Sequence, residues 1–231
     1  CGEINLTLKN FERAWECFDH ADDLASLIGA ARAALALNRN DDAQEKILAA
    51  LHLNSDNADA LLLLAEVYMR RADYDNALSA YGTAANVADD PRAALTAQAT
   101  LLMDLDQPMK SVGALKRVLT LDPQDDEAMG MLSDAMMQAK HVDEAIEAGR
   151  HANQLAPHKA SHLLRLGKLC GAVGQLDAAL AHLQTAREIE PQEAEIAREM
   201  GLVYERRNQP HRALELYQEL IQLQPGIADN F

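Results

Sequence analysis

The sequence is poor in the residues that mark several other classes of protein. Its 231 residues include three cysteines, one tryptophan and three phenylalanines, and aromatic residues make up only 4% of the chain. Cys1, Cys17 and Cys170 form no CxxC motif and lack the even count and spacing of a disulfide-stapled secreted domain. The cysteines therefore favour a reducing compartment, and we expect a cytoplasmic protein.

Long apolar runs and positive charge are also scarce. No apolar stretch approaches the roughly 18 to 20 residues of a membrane span. The first residues also lack the positively charged region and the apolar region of a signal peptide. The formal net charge is -15, and because an acidic surface repels phosphate, we expect no nucleic-acid partner. A periplasmic lipoprotein acylated at Cys1 is the alternative to a cytoplasmic location.

The motifs of common enzyme and metal sites are missing as well. The sequence has no GxxxxGK[ST] phosphate loop and no GxGxxG motif after a strand. His158 and His162 have the four-residue spacing of two metal ligands on one helix face, but His158 follows Pro157 and is expected to lie before the helix. The sequence therefore predicts no enzymatic activity, no cofactor and no metal.

The sequence does contain a repeat. Four prolines stand 34 residues apart, and counting back from them gives six complete repeats. The prolines are Pro123, Pro157, Pro191 and Pro225, and the repeats are residues 24–57, 58–91, 92–125, 126–159, 160–193 and 194–227. Residues 1–23 are interpreted as the end of the first helix and the second helix of a partial repeat, and residues 228–231 as the start of a further helix. A fixed period of this length predicts one continuous array.

Small residues recur at two positions of every repeat. Position 8 and position 20 hold only alanine, serine or glycine, within patterns typical of two amphipathic helices. The residues are Ala31, Ala65, Ala99, Ser133, Gly167 and Gly201 at position 8, and Ala43, Ala77, Ser111, Ala145, Ala179 and Ala213 at position 20. We expect the two helices to meet there, and the second helix to continue to the closing proline.

This pattern resembles the tetratricopeptide repeat (TPR) family over nearly the whole chain. The match is best in the later repeats, as in Leu166-Gly167, Cys170, Ala179, Leu183, Ala186 and Pro191. The resemblance implies an all-α fold, a right-handed superhelical solenoid of antiparallel helix pairs. It also places Cys170 at a buried packing position, where it would be an inert thiol.

The resemblance further implies a binding surface. In the family, positions 2, 5, 6, 9, 12 and 13 of the first helices line a concave groove. Two groups of this chain fall on those positions, a set of methionines and a set of basic residues. They are Met69, Met103, Met131 and Met137, and Arg165, Lys168 and Arg198. Methionine adapts to apolar ligands, and the basic residues could pair with a partner's carboxylate. The alternatives are that the methionines only pack against neighbouring helices, and that Arg198 bonds to Glu195 or Glu199 within the chain.

The expected function is a protein–protein interaction scaffold or adaptor that binds a peptide segment or helix in this groove. The resemblance does not extend to a chaperone clamp, because position 9 carries no asparagine in any repeat. Two alternatives remain open. The chain could be the repeat region of a larger enzyme, such as a transferase, or a scaffold that self-assembles through its ends.

The ends of the array generate the last two expectations. Neither end shows a capping helix with a polar outer face, so we interpret the sequence as a fragment of a longer array. Self-association would use apolar side chains expected to be exposed at the ends, namely Phe11, Phe18, Leu220 and Phe231.

Overall fold

The structure, a computed structural model, describes residues 1–18, 20 and 22–223 of the chain. This described part contains fourteen α-helices and no strand. The helices are α1 (Gly2–Thr7), α2 (Phe11–Phe18), α3 (Leu24–Ala36), α4 (Asn40–Leu53), α5 (Ala58–Arg70), α6 (Tyr74–Val87), α7 (Arg92–Asp104), α8 (Pro108–Leu121), α9 (Asp126–Gln138), α10 (Val142–Leu155), α11 (Ala160–Ala172), α12 (Leu176–Ile189), α13 (Ala194–Arg206) and α14 (Pro210–Leu223). The further helix expected at 228–231 lies outside the described residues.

The helices form two compact units, residues 1–107 and 108–231. In the first unit each helix from α1 to α7 packs on the next along the chain, and α3 also contacts α5. In the second unit α8 to α14 pack in the same consecutive order, and α11 contacts both α9 and α13. The predicted all-α fold of paired helices is therefore confirmed. None of the described helices is both long and apolar enough to cross a membrane.

A left-handed residue ends the first helix of every hairpin. It stands at position 15 of each repeat, and at the equivalent position of the partial one. These residues are Lys9, Asn38, Ala72, Asp106, Lys140, Gly174 and Asn208, with φ between 55° and 80°. The amide that follows bonds back to a carbonyl five residues earlier, as from Asp73 to Tyr68 at 2.9 Å. This is the Schellman arrangement, which satisfies the last carbonyls of a helix and reverses the chain.

The second helices end earlier than the sequence analysis predicted. The helices α8, α10 and α12 stop two residues before Pro123, Pro157 and Pro191 rather than at them. The residue before a proline is pushed away from helical backbone angles. Ala156 and Glu190 show this, with φ of -133° and -125°. However, α4 and α6 end at the same position of their repeats without a proline two residues later, and Asn54, before Ser55, has a φ of -147°. The proline is therefore compatible with this helix end but is not required for it.

Small buried side chains occupy positions 8 and 20, where the paired helices approach each other. The alanines at positions 8 and 20 are at most 2% exposed, and Ser133 Oγ donates to the Ala145 carbonyl at 2.6 Å. That bond joins position 8 directly to position 20, as expected. At Gly167 the space is smaller still, because a Cβ there would lie 2.5 Å from Leu183 Cγ.

The apolar residues near the ends are less exposed than the sequence suggested. Phe18 is 9% exposed and Leu220 is 2% exposed, because both pack against neighbouring helices instead of facing solvent. Phe11 is half-buried, and Phe231 lies outside the described residues. The expectation that Phe18 and Leu220 present an open apolar face was therefore wrong.

Two glycines of the second unit provide a test of this packing. Gly167→Ala should lower the free energy of unfolding by about 1 to 3 kcal/mol, because its methyl group overpacks the contact with Leu183. Gly113→Ala is the matched control. Gly113 lies inside α8, and a Cβ added there would meet no atom within 4 Å, so alanine should stabilise the helix by up to about 1 kcal/mol. Urea unfolding measures both, and equal stabilisation by the two changes would contradict the close contact.

Candidate binding surface

Methionines lie on the first helices of both units, three of them at position 12 of their repeats and Met131 at position 6. In the first unit Met69 lies on α5 and Met103 on α7, and in the second unit Met131 and Met137 lie on α9. All four side chains are half-buried, whereas the neighbouring Met136 is only 5% exposed and belongs to the core. Each of the four therefore combines internal packing with an accessible portion.

Arg165 on α11 is fully engaged within the protein. Its Nε lies 2.9 Å from both carboxylate oxygens of Asp134, and its Nη1 donates to His162 Nδ1 at 2.9 Å. Its side chain is 14% exposed. Gly130 makes room for the guanidinium, since a Cβ at that position would collide with it. The structure thus brings together residues from α9 and α11 that the sequence analysis had not connected.

Lys168 and Arg198 are paired more loosely. Lys168 Nζ lies 2.6 Å from Glu195 Oε1, and Arg198 Nη2 lies 3.2 Å from both Glu195 and Glu199. The Lys168 hydrogen bond is the main reason that the pKa of Glu195 is lowered. The two basic side chains are 40% and 49% exposed, and exposed pairs of this kind contribute only about 0 to 1 kcal/mol. A partner's carboxylate could take the place of Glu195 beside Lys168 or Arg198 at little cost in free energy. Replacing the acceptors bound to Arg165 would cost more.

The same ion pair recurs between successive first helices. Position 9 of one repeat bonds to position 2 of the next, as in Arg32 to Asp59 at 2.9 Å in the first unit. Lys168 to Glu195 is the equivalent pair in the second unit. These side chains occupy positions that the family resemblance assigns to the ligand-facing surface, and here they join neighbouring helices instead.

A second recurring contact uses arginine at position 13. Arg70 Nη1 donates to the Leu35 carbonyl, and Arg206 Nη1 donates to the Gly171 carbonyl, each at 2.5 Å. Both carbonyls lie in the last turn of the preceding first helix, where backbone acceptors lack helical partners and a cation is favourable. The two arginines thereby fix the distance between successive first helices.

His162 lies at the centre of a charged cluster in the second unit. It is 0% exposed, and its Nε2 lies 2.7 Å from Asp126 Oδ2. Because Arg165 can only donate, Nδ1 accepts its hydrogen bond, and Nε2 must therefore carry the proton given to Asp126. Lys159 Nζ completes the cluster, 2.8 Å from Asp126 and 2.6 Å from Glu127.

The ligand atoms of Asp126, Glu127 and His162 lie close enough together to hold a metal ion. His158, the ligand considered from the sequence, is exposed on the turn before α11 and does not join them. Coordination through His162 Nε2 would move the ring proton to Nδ1, where it would meet the donor of Arg165. The Lys159 ammonium group also donates hydrogen bonds to the carboxylates of Asp126 and Glu127. The cluster is therefore better suited to the Lys159 ammonium group than to a metal ion.

Cys170 on α11 lies in the core. It is 2% exposed, and desolvation raises the pKa of its thiol. Since the thiolate is the reactive form, this thiol is held in its unreactive state, as the sequence analysis expected.

An open pocket separates α11 from α13 on the face that carries Lys168. It has a volume of about 290 Å³ and is lined mainly by small, apolar and charged side chains. Its charged lining residues are two basic and two acidic ones, Lys168, Arg206, Glu199 and Glu205, and its other lining residues include Gly167, Gly171, Leu202 and Val203. Leu202, at position 9 of the last repeat, is 42% exposed, so the pocket offers an apolar wall beside two basic groups.

The sequence analysis considered Glu195 and Glu199 as partners of Arg198, and the structure shows both bonds. It did not connect Arg165 with Asp134, or Lys168 with Glu195. A signal for the second of these pairs was present. Arg32 with Asp59 and Lys168 with Glu195 are each separated by 27 residues and have opposite charges. The register of position 9 against position 2 could therefore have predicted these pairs. The bond from Arg165 to His162 had no such signal, because it depends on the space left by Gly130.

Comparison with protein families identifies the fold. The model described as "Tetratricopeptide repeat" matches residues 28–93, 96–160 and 164–226, which is most of the chain. The chain belongs to the tetratricopeptide repeat family. TPR proteins generally mediate protein–protein interactions and are typically not catalysts. Among curated proteins, no sequence matches this chain.

Several solved TPR structures are similar to this one. A repeat protein from Parabacteroides merdae is 14% identical with a TM-score of 0.74, covering 96% of this chain and 90% of its own. The pilF protein of Pseudomonas aeruginosa is 18% identical with a TM-score of 0.68, covering 88% and 92%. YrrB, described as "a TPR protein with an unusual peptide-binding site", is 22% identical with a TM-score of 0.62, covering 80% and 95%. At these identities the likeness establishes the fold alone.

The difference between the two kinds of ion pair can be measured. Arg165→Met should lower the free energy of unfolding by about 1 to 3 kcal/mol, because it leaves His162 Nδ1 buried without a donor and Asp134 without its cation. Lys168→Met is the matched control and should cost less than about 1 kcal/mol. Equilibrium urea unfolding of both variants checks this, and an equal effect would show that Arg165 is no more integral than an exposed lysine.

The cluster also predicts a pH dependence. Hydrogen bonds from Lys159 are the largest cause of the lowered pKa values of Asp126 and Glu127. As the pH falls, these carboxylates therefore take up protons in the unfolded chain before they do so in the folded chain. Their ionised forms stabilise the fold at pH values above the ordinary pKa values of 3.8 and 4.5, and this stabilisation is lost as the pH falls through the lower pKa values of the folded state. The stability difference between wild type and Lys159→Met should shrink as the pH falls from about 6 to about 3.

Urea unfolding at several pH values measures this difference. Lys116→Met is the control, because Lys116 is an exposed lysine of the same unit on α8, and its effect should vary little with pH. A Lys159→Met difference that stays constant across the range would mean that the lysine does not stabilise the ionised carboxylates.

Proposed function

We propose that this protein is a non-catalytic scaffold or adaptor whose first helices bind an extended peptide or a helix of a protein partner. The observation that carries the proposal is the set of half-buried methionines on the first helices, three of which, Met69, Met103 and Met137, stand at position 12 of their repeats. Membership in the TPR family supports the general class of function.

The methionines favour an apolar ligand. Methionine is unbranched and polarizable, and a half-buried side chain can change rotamer to fit different apolar groups. Met69 and Met103 in the first unit, and Met131 and Met137 in the second, are half-buried in this way. Their contribution is expected to come from buried apolar area rather than from a fixed pattern of hydrogen bonds.

Ion pairs with the ligand are expected to contribute less to binding than the apolar contacts of the methionines. The internal pairing of Arg165 removes it from the residues available to a partner, because losing its bond to the buried His162 would leave that ring nitrogen unsatisfied. Lys168 and Arg198 remain candidates for a partner's carboxylate, since their present pairs are exposed. The neighbouring Leu202 would then contact an apolar side chain of the same ligand segment.

The net charge supports a protein partner over nucleic acid. A chain with a formal charge of -15 repels a phosphate backbone and gains nothing from counterion release. One short segment buries a modest area, so we expect dissociation constants on the order of micromolar for single peptides. Engagement of several repeats by one partner would raise the apparent affinity.

The test selects ligands and then removes the methionines. Peptides selected from a random library against the wild-type chain are measured by fluorescence polarisation against Met69→Glu, Met103→Glu and Met137→Glu combined in one variant. The proposal expects at least about a tenfold loss of affinity, because charged groups would replace the apolar contacts.

The matched control carries three glutamates on exposed apolar residues outside the first helices. Leu48 and Leu53 on α4 and Leu121 on α8 are 50%, 57% and 54% exposed, so their triple glutamate variant adds the same charge. Circular dichroism confirms that both variants stay helical. Ligands that lose affinity equally for both variants, or only for the control, would place binding on another surface and contradict the proposal.

A further inference from the structure

Two cysteines that are distant in sequence meet at the first hairpin. Cys1, which precedes α1, and Cys17 on α2 have their Sγ atoms 2.6 Å apart. Both side chains are exposed. In the sequence these residues are isolated, because sixteen positions and no recognised motif separate them. The hairpin of α1 and α2 brings them together.

The packing of Phe18 explains why the two thiols meet. Its ring lies against Gly2 on one side and Gly29 of α3 on the other, and a Cβ at either glycine would collide with it. Gly2 adjoins Cys1, and Phe18 adjoins Cys17. One ring therefore fixes the residues next to both cysteines, and it docks the α1–α2 hairpin on α3. The proximity of the thiols is a consequence of core packing.

A hydrogen-bond donor faces the sulfur pair. Asn5 Nδ2 donates to the Cys1 carbonyl at 3.1 Å and lies 3.7 Å from Cys1 Sγ and 4.0 Å from Cys17 Sγ. The thiolate is the species that begins disulfide exchange, and Asn5 Nδ2 lies beside both sulfur atoms. Solvent exposure gives a small oxidant access to the pair.

We propose that Cys1 and Cys17 are an oxidation site that forms an intramolecular disulfide with a small-molecule disulfide as the oxidant. The thiolate of one cysteine attacks a sulfur of glutathione disulfide and releases one glutathione thiolate. The second cysteine thiolate then attacks the protein sulfur of the mixed disulfide and releases the other. The two protein thiols lose two electrons, and their two protons pass to the two glutathione thiolates.

The disulfide would control the order of the first hairpin. The helix α1 has only six residues, too few to be stable without tertiary contacts. Closing the loop from Cys1 to Cys17 restricts the unfolded state of this segment and holds Phe18 in its place on α3. Reduction would leave the hairpin held by its packing through Phe18 and Ala14 and by the exposed Glu12–Arg39 ion pair. The oxidation state therefore sets how firmly this hairpin covers α3.

The test incubates the full chain with glutathione disulfide and identifies the bond directly. The expected product has lost two hydrogen atoms in mass and keeps one free thiol, that of Cys170. Trypsin cleaves after Lys9, Arg13 and Arg32, so unreduced digestion should yield peptide 1–9 joined to peptide 14–32. Cys170→Ser should give the same joined pair, and Cys17→Ser should not.

Hydrogen exchange measures the consequence. Amide exchange in residues 2–18 should slow by at least about tenfold on oxidation of wild type, and it should not change in Cys17→Ser. Stable glutathione adducts on both cysteines, a disulfide between two chains, or no oxidation at all would each overturn the proposal. A thioether-linked lipid on Cys1 in the native protein would also overturn it, because an acylated sulfur cannot form the bond.

Discussion

The close approach of the two helices in each hairpin is the constraint on which the rest of the structure depends. Alanine, serine or glycine at positions 8 and 20 brings the backbones together, as the bond from Ser133 to Ala145 shows directly. The left-handed residue at position 15 then reverses the chain within a few residues. Within each unit, first helices of neighbouring repeats also meet, as α3 meets α5 in the first unit and α11 meets α9 and α13 in the second. The pairs between positions 9 and 2 lie at these contacts.

The sequence predicted the hairpins well, because small residues and helix periodicity are local signals. The starts of the first helices and the burial of Ala31 or Ala179 needed no knowledge of the neighbours. Glycine, asparagine and aspartate adopt the left-handed conformation most readily, and they hold position 15 in four of the six repeats, whereas Ala72 and Lys140 have no intrinsic preference for it. There the Schellman hydrogen bonds impose the conformation. The contact between Cys1 and Cys17 could not be predicted, because it depends on the ring of Phe18.

The candidate surface shows why residue type alone did not define a binding site. Arg165 and Lys168 looked equivalent in the sequence, three residues apart on one helix. In the structure Arg165 has little exposure and satisfies a buried histidine, whereas Lys168 forms an exposed pair. Drawing Arg165 away to a ligand would leave a buried acceptor unsatisfied, whereas drawing Lys168 away would leave a carboxylate that water can solvate. The free-energy cost is therefore larger for Arg165. Availability to a ligand therefore follows from burial and not from charge.

The repeat architecture also limits how far any local change can act. A helix hairpin in such an array contacts mainly its neighbours, so its stability is set by its own packing and by nearest-neighbour interfaces. The proposed disulfide would act on α1 to α3, and the His162 cluster acts on α9 and α11. Neither change alone has a structural route to distant hairpins. A ligand that contacts several first helices at once has a wider effect, because it connects hairpins that do not contact each other directly. The free energy of this coupling comes from the ligand's own contacts with each hairpin.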